Sequence, residues 1–160
     1  MARLGAAGKT PASLRSTATR MLARREYGRA ELAERLITRG APAAEVATLL
    51  DEFERLGYLS DARFAQALVA QKAGRFGRRA IVHALKQKQV APEAAMAAMA
   101  TLEGSDELAE ATTLWRRRYG VPPSDERAKA RQVRFLMSRG YSLSIALKVL
   151  KAGRAEGDAG

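Results

Sequence analysis

The chain has 160 residues, 47% of them hydrophobic, and a formal net charge of +11. This length and composition predict one or two domains with a buried core and exclude a chain that is disordered throughout. The sequence has no cysteine, which excludes disulfides, thiolate zinc sites and cysteine nucleophiles. It also has no apolar run near the roughly 20 residues of a membrane span and no apolar core of a signal peptide, so we expect a cytoplasmic protein.

Apolar residues recur at helical spacing through most of the chain, and no strand-like alternation competes with them. The strongest pattern is Val46, Leu49, Leu50, Phe53 and Leu56, at positions i, i+3, i+4, i+7 and i+10. The spacing predicts an all-α protein. Its nine helices are predicted at 13–26, 29–39, 43–56, 61–73, 78–89, 92–102, 106–119, 125–139 and 142–150.

Glycines mark the predicted ends of these helices, because glycine adopts the left-handed cap conformation without a Cβ penalty. Serines followed by acidic residues mark several beginnings, as at Ser60 and Ser105. Residues 1–12 are predicted to be a flexible N-terminal arm and residues 154–160 a flexible C-terminal tail. The predicted stops are Gly40, Gly57, Gly74, Gly104, Gly120, Gly140 and Gly153.

The chain repeats itself. Residues 27–36 resemble residues 76–85 at an offset of 49, and Arg39-Gly40 returns as Arg139-Gly140 at an offset of 100. A period of this size is typical of modular helical arrays, whose units stack and leave a long outer surface free. We predict an elongated array of three tandem three-helix, helix-turn-helix-like repeats, at 13–57, 58–104 and 105–153.

Positive charge is concentrated in the middle helix of each predicted repeat and at the ends of the first helices. Residues 1–39, 72–102 and 112–155 have net charges of +6, +5 and +9. A basic stripe repeated with the structural period favours a phosphate backbone as partner. The contact candidates are Arg24, Arg25, Arg29, Arg35, Arg39, Arg75, Arg78, Arg79, Lys86, Lys88, Arg116, Arg117, Arg118, Arg131, Arg134 and Arg139.

Other interpretations of the charge stay open. Arginine binds carboxylate as well as phosphate, so the stripe fits an acidic protein surface or, third, an anionic membrane. A solvated surface is the simplest alternative, and Arg24 and Arg25 have acidic neighbours with which to pair. Two acidic clusters, 51–54 and 106–110, are either contacts for a basic partner or helix-dipole partners.

The sequence offers little chemistry. His83, the single histidine, lies in a basic helix without a nucleophile motif, so we predict neither a catalytic nor a metal site. The segment 74–77 resembles a short glycine loop that, with Arg78 and Arg79, would hold one phosphate, although a tight turn explains it equally. Trp115 and Tyr119 are candidates for base stacking, with burial in the core favoured.

Several segments together resemble the bacterial RecX family, over about residues 13–150. The most specific is Leu56-Gly-Tyr-Leu-Ser-Asp-Ala-Arg-Phe-Ala65, followed by Arg134-Phe-Leu-Met-Ser-Arg-Gly-Tyr141; segments 22–32 and 77–88 add to them. One departure is visible where the family often has Lys-Gly and an apolar residue. Here the run is Lys88-Gln89-Val90.

The resemblance implies three tandem three-helix repeats and a regulatory function without catalysis. It implies a protein that binds the groove of the RecA–DNA filament, inhibits the ATPase and strand-exchange activities of RecA, and can bind DNA. We further expect a monomer without a cofactor or a membrane partner, whose binding to single- and double-stranded DNA is weak, non-specific and salt-sensitive.

Two other functions are considered beside this one. A free-standing DNA-binding regulator would use the middle helices as helix-turn-helix recognition helices and would show sequence preference. A metal-dependent nuclease would use the clustered carboxylates and would cleave DNA with Mg²⁺.

Overall fold

The helices lie close to the positions that the periodicity predicts. The computed structural model describes the backbone of residues 11–158 and the side chains of residues 13–158. Over that range the backbone forms nine helices and no strand, which confirms the all-α prediction. They are α1 (Pro11–Arg24), α2 (Arg29–Thr38), α3 (Ala43–Arg55), α4 (Asp61–Lys72), α5 (Arg78–Gln87), α6 (Pro92–Ala100), α7 (Glu107–Arg118), α8 (Glu126–Ser138) and α9 (Leu143–Asp158).

The structure bears differently on the two terminal segments that the sequence predicts to be flexible. The flexible arm predicted for residues 1–12 lies outside the described residues except at Pro11 and Ala12, whose backbone belongs to α1. The predicted end of the ninth helix at Leu150 is wrong, because α9 continues as far as Asp158, and the flexibility of the tail stays a prediction. Gly153 does not end the helix: it is buried, and a Cβ there would lie 2.6 Å from the Trp115 indole. The glycine is needed for close packing, and the helix continues beyond it.

The chain divides into two units. The first comprises the chain up to Ala67 together with Leu85–Ala97, and the second comprises Leu68–Ala84 together with the chain from Ala98 onward. The second predicted repeat, 58–104, therefore contributes segments to both units, and the three repeat boundaries stay predictions.

Each unit has its own apolar core. In the first, α1, α2 and α3 pack on one another around Leu14, Leu36, Leu50 and Phe53, which are at most 2% exposed. In the second unit, α7, α8 and α9 pack around Trp115 and other buried side chains of the three helices. The buried residues follow the helical spacing of the sequence, so burial of one apolar stripe per helix stabilises both units.

The three middle helices end in the same way. The backbone N–H of Ala41, Val90 and Tyr141 each donates to a leucine carbonyl five residues earlier, at 3.2 Å in all three cases. The residue before each donor has a positive φ: 101° at Gly40, 52° at Gln89 and 93° at Gly140. Gln89 therefore takes the left-handed position that glycine takes in the other two caps.

The beginnings of two middle helices are capped from a distant part of the chain. In the first unit, Asp61 Oδ1 accepts the backbone N–H of Arg29 at 2.8 Å, and its Oδ2 accepts that of Ala91 at 3.0 Å. In the second unit, Glu107 Oε1 accepts the backbone N–H of Arg78 at 2.9 Å. Each carboxylate satisfies an otherwise unpaired N-terminal donor and complements the helix dipole.

Candidate protein and nucleic-acid interface

The predicted contact residues are distributed over both units. In the second unit lie Arg75, Arg78, Arg79, Arg116, Arg117, Arg118, Arg131, Arg134 and Arg139. In the first unit lie Arg24, Arg25, Arg29, Arg35, Arg39, Lys86 and Lys88. Within each unit they separate into cations that pair with carboxylates or aromatic rings and cations that remain free.

Glu31 of α2 is the centre of an ionic cluster in the first unit. Its side chain is 7% exposed, and its carboxylate accepts from both Arg25 and Lys88, with Arg35 Nε 3.9 Å away. Burial raises the pKa of Glu31, but the hydrogen bonds from Lys88 and Arg25 outweigh it and leave the pKa below the usual value of 4.5. Arg25 and Lys88 are therefore already paired with a carboxylate of the same chain.

The acidic cluster at 51–54 also pairs internally. Arg29 Nη1 lies 2.7 Å from Asp51 Oδ1 and 2.9 Å from Glu54 Oε1. Glu52 forms a two-pronged contact with Arg15, at 2.8 and 2.9 Å. These carboxylates neutralise cations of their own unit, so the structure gives them a role other than contact with a basic partner.

Three predicted contact residues of the second unit have structural roles. The Arg78 guanidinium donates to the Leu102 carbonyl at 2.7 Å and to Ser105 Oγ at 3.1 Å. The Arg139 guanidinium lies 5.4 Å from the ring centroids of both Phe76 and Phe135. The third, Arg116, pairs with Glu156 at 2.6 Å. These contacts engage the three side chains within the unit, and the exposed Arg116–Glu156 pair contributes little to its stability.

Three exposed arginines lie along the outer face of α8. Arg127, Arg131 and Arg134 lie at positions i, i+4 and i+7, all exposed, on the face opposite buried Gln132 and Leu136. Among the side chains that the structure describes, no carboxylate forms an ion pair with any of the three. We call this set the α8 ladder. Other predicted contact residues that are exposed without such a partner among the described side chains are Arg24, Arg39, Arg75, Arg79, Lys86 and Arg117, whereas the Arg118 guanidinium lies 5.2 Å from the Tyr119 ring centroid.

The structure gives packing roles to the base-stacking candidate Trp115 and to the glycine loop at 74–77. Trp115 is 2% exposed and its Nε1 donates to Gln132 Oε1 at 2.7 Å, so it does not stack bases. At the glycine loop, a Cβ on Gly77 would lie 2.8 Å from the backbone N of Tyr141, and the first N–H of α5 is occupied by Glu107. The second glycine therefore permits close backbone packing, and the Glu107 carboxylate occupies a backbone N–H that a bound phosphate would need.

Neither a metal site nor a membrane helix is found over the described residues. No group of three or more histidine or acidic side chains there is arranged to hold a metal ion. No described helix is both long and apolar enough to span a bilayer.

Sequence reasoning missed several residues that organise these sites. Asp61 belongs to the most specific family-like segment, yet its role as a double cap depends on Ala91, thirty positions away. Gln132 is a buried polar residue within an apolar pattern, which is a signal for a specific hydrogen bond. Arg20 lies one turn before Arg24 on α1, and this spacing alone would have paired them.

Comparison with known proteins gives a consistent result. Residues 60–99 match the family model of the second three-helix domain of RecX, and residues 105–150 match that of the third. The regulatory protein RecX of Leptothrix cholodnii is 40% identical over 153 residues, which cover 96% of this chain and 97% of the relative. That of Ralstonia pickettii is 38% identical over 142 residues, covering 89% of each chain.

Solved structures agree on the fold. The crystal structure of RecX from Lactobacillus salivarius has a TM-score of 0.73 with 16% sequence identity, covering 91% of this chain and 97% of that one. At this identity the likeness supports the helical fold only. The two family models and the identities above 30% over nearly the whole length show that the chain belongs to the RecX family of regulatory proteins.

Proposed function

We propose that the chain is a non-enzymatic, cytoplasmic regulator that acts as a monomer. It binds the groove of the RecA–DNA filament and inhibits the ATPase and strand-exchange activities of RecA. Membership of the RecX family supports this assignment. The single observation that connects it to geometry is the α8 ladder, a row of exposed arginines that form no ion pair with any carboxylate of residues 13–158.

The ladder is suited to an extended acidic partner. Its arginines follow one face of a helix, about one turn of 5.4 Å apart. Because a guanidinium forks to carboxylate and phosphate alike, such a row fits a filament that exposes both protein and DNA. The three side chains are exposed and form no ion pair with a described carboxylate, so binding is the property that their charge affects most.

The test is the rate of ATP hydrolysis by RecA on single-stranded DNA, titrated with this protein well below one copy per RecA subunit. We expect strong inhibition by the wild-type chain at low ratio. The triple variant R127E/R131E/R134E should need at least about tenfold more protein, since like-charge contacts at an interface cost several kcal/mol. Strand exchange should show the same ranking.

A matched control separates the ladder from net charge. K148E/K151E/R154E makes the same charge change on exposed residues of α9, in the same unit. This control should inhibit nearly as well as wild type. Equal loss in both triple variants would reduce the ladder to a diffuse charge effect, and inhibition that begins only when the DNA is saturated would indicate simple competition for DNA.

A further inference from the structure

Two mostly apolar cavities lie between α1 and α3 in the first unit. The larger, of about 500 Å³, has the buried side chains of Leu14 and Leu49 in its wall. The smaller, of about 250 Å³, has buried Phe53 beside Leu22 and the exposed ring of Tyr58. Every described residue of the two walls belongs to α1, to α3 or to the turn after α3, so no third described helix lines them. We call the two cavities together the α1–α3 groove.

An ion pair joins the two walls of the groove. Arg15 of α1 donates two hydrogen bonds to Glu52 of α3, at 2.8 and 2.9 Å, and its guanidinium lies 5.4 Å from the ring centroid of Phe53. Arg15 is the one cation among the described lining residues, and its charge is already matched by a carboxylate. The groove is therefore suited to apolar side chains and offers little to a phosphate backbone.

The helix α3 has opposite charges at its two ends. Glu45 lies in the first turn and lines the larger cavity, and Arg55 lies in the last turn. The hydrogen bond from Arg15, followed by the nearby charges of Arg15 and Arg55, holds the pKa of Glu52 below its usual value, which places Arg55 beside the groove. Glu45 and Arg55 are exposed, and neither forms an ion pair with a described residue.

We propose that the α1–α3 groove binds an amphipathic helix of a partner protein. An apolar groove between two helices accepts a third helix, whose apolar side chains enter it at one-turn spacing. Leu49 and Phe53 lie one turn apart on α3, so the docked helix places an apolar side chain in each cavity.

The free charges add a second requirement for the docked helix. It has a base at the Glu45 end and an acid at the Arg55 end, about 15 Å apart, which is about ten residues of helix. RecA is the protein partner of the proposed function, on which this inference therefore rests. What the inference adds is an apolar contact with protein in the first unit, distinct from the α8 ladder of the second.

The test exchanges the two end charges of α3. The variant E45K/R55E keeps the net charge of the chain and should need at least about fivefold more protein to inhibit ATP hydrolysis by RecA on single-stranded DNA. Its binding to the same DNA without RecA, measured by fluorescence anisotropy, should stay within about twofold of wild type, since the net charge is unchanged. Thermal unfolding by circular dichroism shows whether the variant folds, because the exchange also opposes the dipole of α3.

A matched control makes the same exchange elsewhere. E103K/K151E changes exposed residues of the second unit and should inhibit like wild type. Equal inhibition by E45K/R55E and wild type would overturn the proposal. A parallel loss of binding to DNA alone would assign the groove to nucleic acid and would overturn it too.

A second measurement does not depend on these charges. The chain has no cysteine, so Ala44→Cys labelled with benzophenone maleimide places one photo-crosslinker in the groove wall. On RecA–DNA filaments we expect an adduct with RecA, at a helical segment that has apolar residues at one-turn spacing and a base and an acid about ten residues apart. The control Ala152→Cys, exposed on α9, should give no such adduct.

The adducts also identify other occupants of the groove. Crosslinks to DNA, to a second copy of the chain or to residues 1–10 of the same chain, in place of RecA, would each contradict the proposal. Inhibition by the wild-type chain without a RecA adduct at Ala44→Cys would remove the groove contact and leave the proposed function standing. A wild-type chain that neither inhibits RecA nor forms the adduct would refute both.

Discussion

The middle helices α2 and α8 end alike but differ in charge. Each has a buried leucine in its last turn, Leu36 or Leu136, whose carbonyl accepts the N–H five residues later at 3.2 Å. Both are followed by a glycine with positive φ, Gly40 or Gly140. The sequence offset between these residues is 100 throughout. The cap and the core stripe are thus common to the first and third predicted repeats.

At the same offset, two acidic residues of α2 become arginines in α8. Glu31 corresponds to Arg131, and Glu34 corresponds to Arg134. In α2 the buried Glu31 pairs with cations of its own unit, whereas in α8 the two arginines are exposed and form no ion pair with a described carboxylate. One helical framework therefore serves internal ion pairing in one repeat and an outward-facing charge in the other.

The largest expected change in stability comes from replacing the cap glycines Gly40 and Gly140 with alanine, because their surroundings differ. Around Gly40 a Cβ would meet nothing within 4 Å, but at Gly140 it would lie 2.6 Å from the backbone N of Ala80. Gly40→Ala should cost about 1–2 kcal/mol, the strain of a left-handed alanine. Gly140→Ala adds a backbone clash and should cost at least about 3 kcal/mol, or prevent folding of the second unit.

Urea unfolding measures this difference. Trp115 is the single tryptophan and is buried in the second unit, so its fluorescence reports on the unit that contains Gly140. Circular dichroism reports on helices of both units and is the probe for Gly40→Ala. Equal losses of stability in the two variants would show that the packing against Ala80 is unimportant.

The next largest change in stability is expected at Glu31, where α2 has a buried carboxylate and α8 has an arginine. Glu31→Gln replaces the buried carboxylate that receives hydrogen bonds from Arg25 and Lys88. We expect a loss of about 2 kcal/mol in the free energy of unfolding, typical for removal of hydrogen bonds to a charged group. The matched control is Glu34→Gln, an exposed residue of the same helix, which should change stability by less than about 0.5 kcal/mol.

The pH dependence of Glu31→Gln sharpens this prediction. Because the folded pKa of Glu31 is depressed below 4.5, its contribution is present above the unfolded pKa and is lost as the pH falls through the folded pKa. The stability difference between wild type and Glu31→Gln should be constant near pH 7 and shrink below about pH 4.5. A difference that stays constant down to pH 3 would assign the effect to packing instead of charge.

Local patterns made much of the fold predictable. Helical spacing and glycine stops predicted all nine described helices, because both signals act within a few residues. Gly153 was misassigned because its reason is a tertiary contact with Trp115, which a local pattern does not contain. The carboxyl end of α9 was therefore placed too early.

The candidate site was less predictable for the same physical reason. Composition and period indicated basic surfaces, but the sequence does not show which cations are neutralised. Glu31 and Lys88 are 57 positions apart, and Arg29 and Asp61 are 32 apart, so only the fold brings them together. The free arginines of α8 became distinguishable from the engaged Arg29 of α2 once their neighbours were known.

The smallest expected effect lies at the third middle helix, α5, where a glutamine replaces the cap glycine. Gln89 has φ 52°, and a side chain in this left-handed region costs free energy that glycine avoids. Gln89→Gly should therefore raise the free energy of unfolding by about 0.5–1 kcal/mol, after the greater flexibility of glycine in the unfolded chain is subtracted. Gln87→Gly, at the last position of α5, should lower it by a similar amount. Thermal unfolding of the two variants in parallel measures the predicted rise and the predicted fall in the free energy of unfolding. If Gln89→Gly is the less stable of the two, the cap of α5 depends on the glutamine side chain, and the common ending of the three middle helices is a likeness of backbone only.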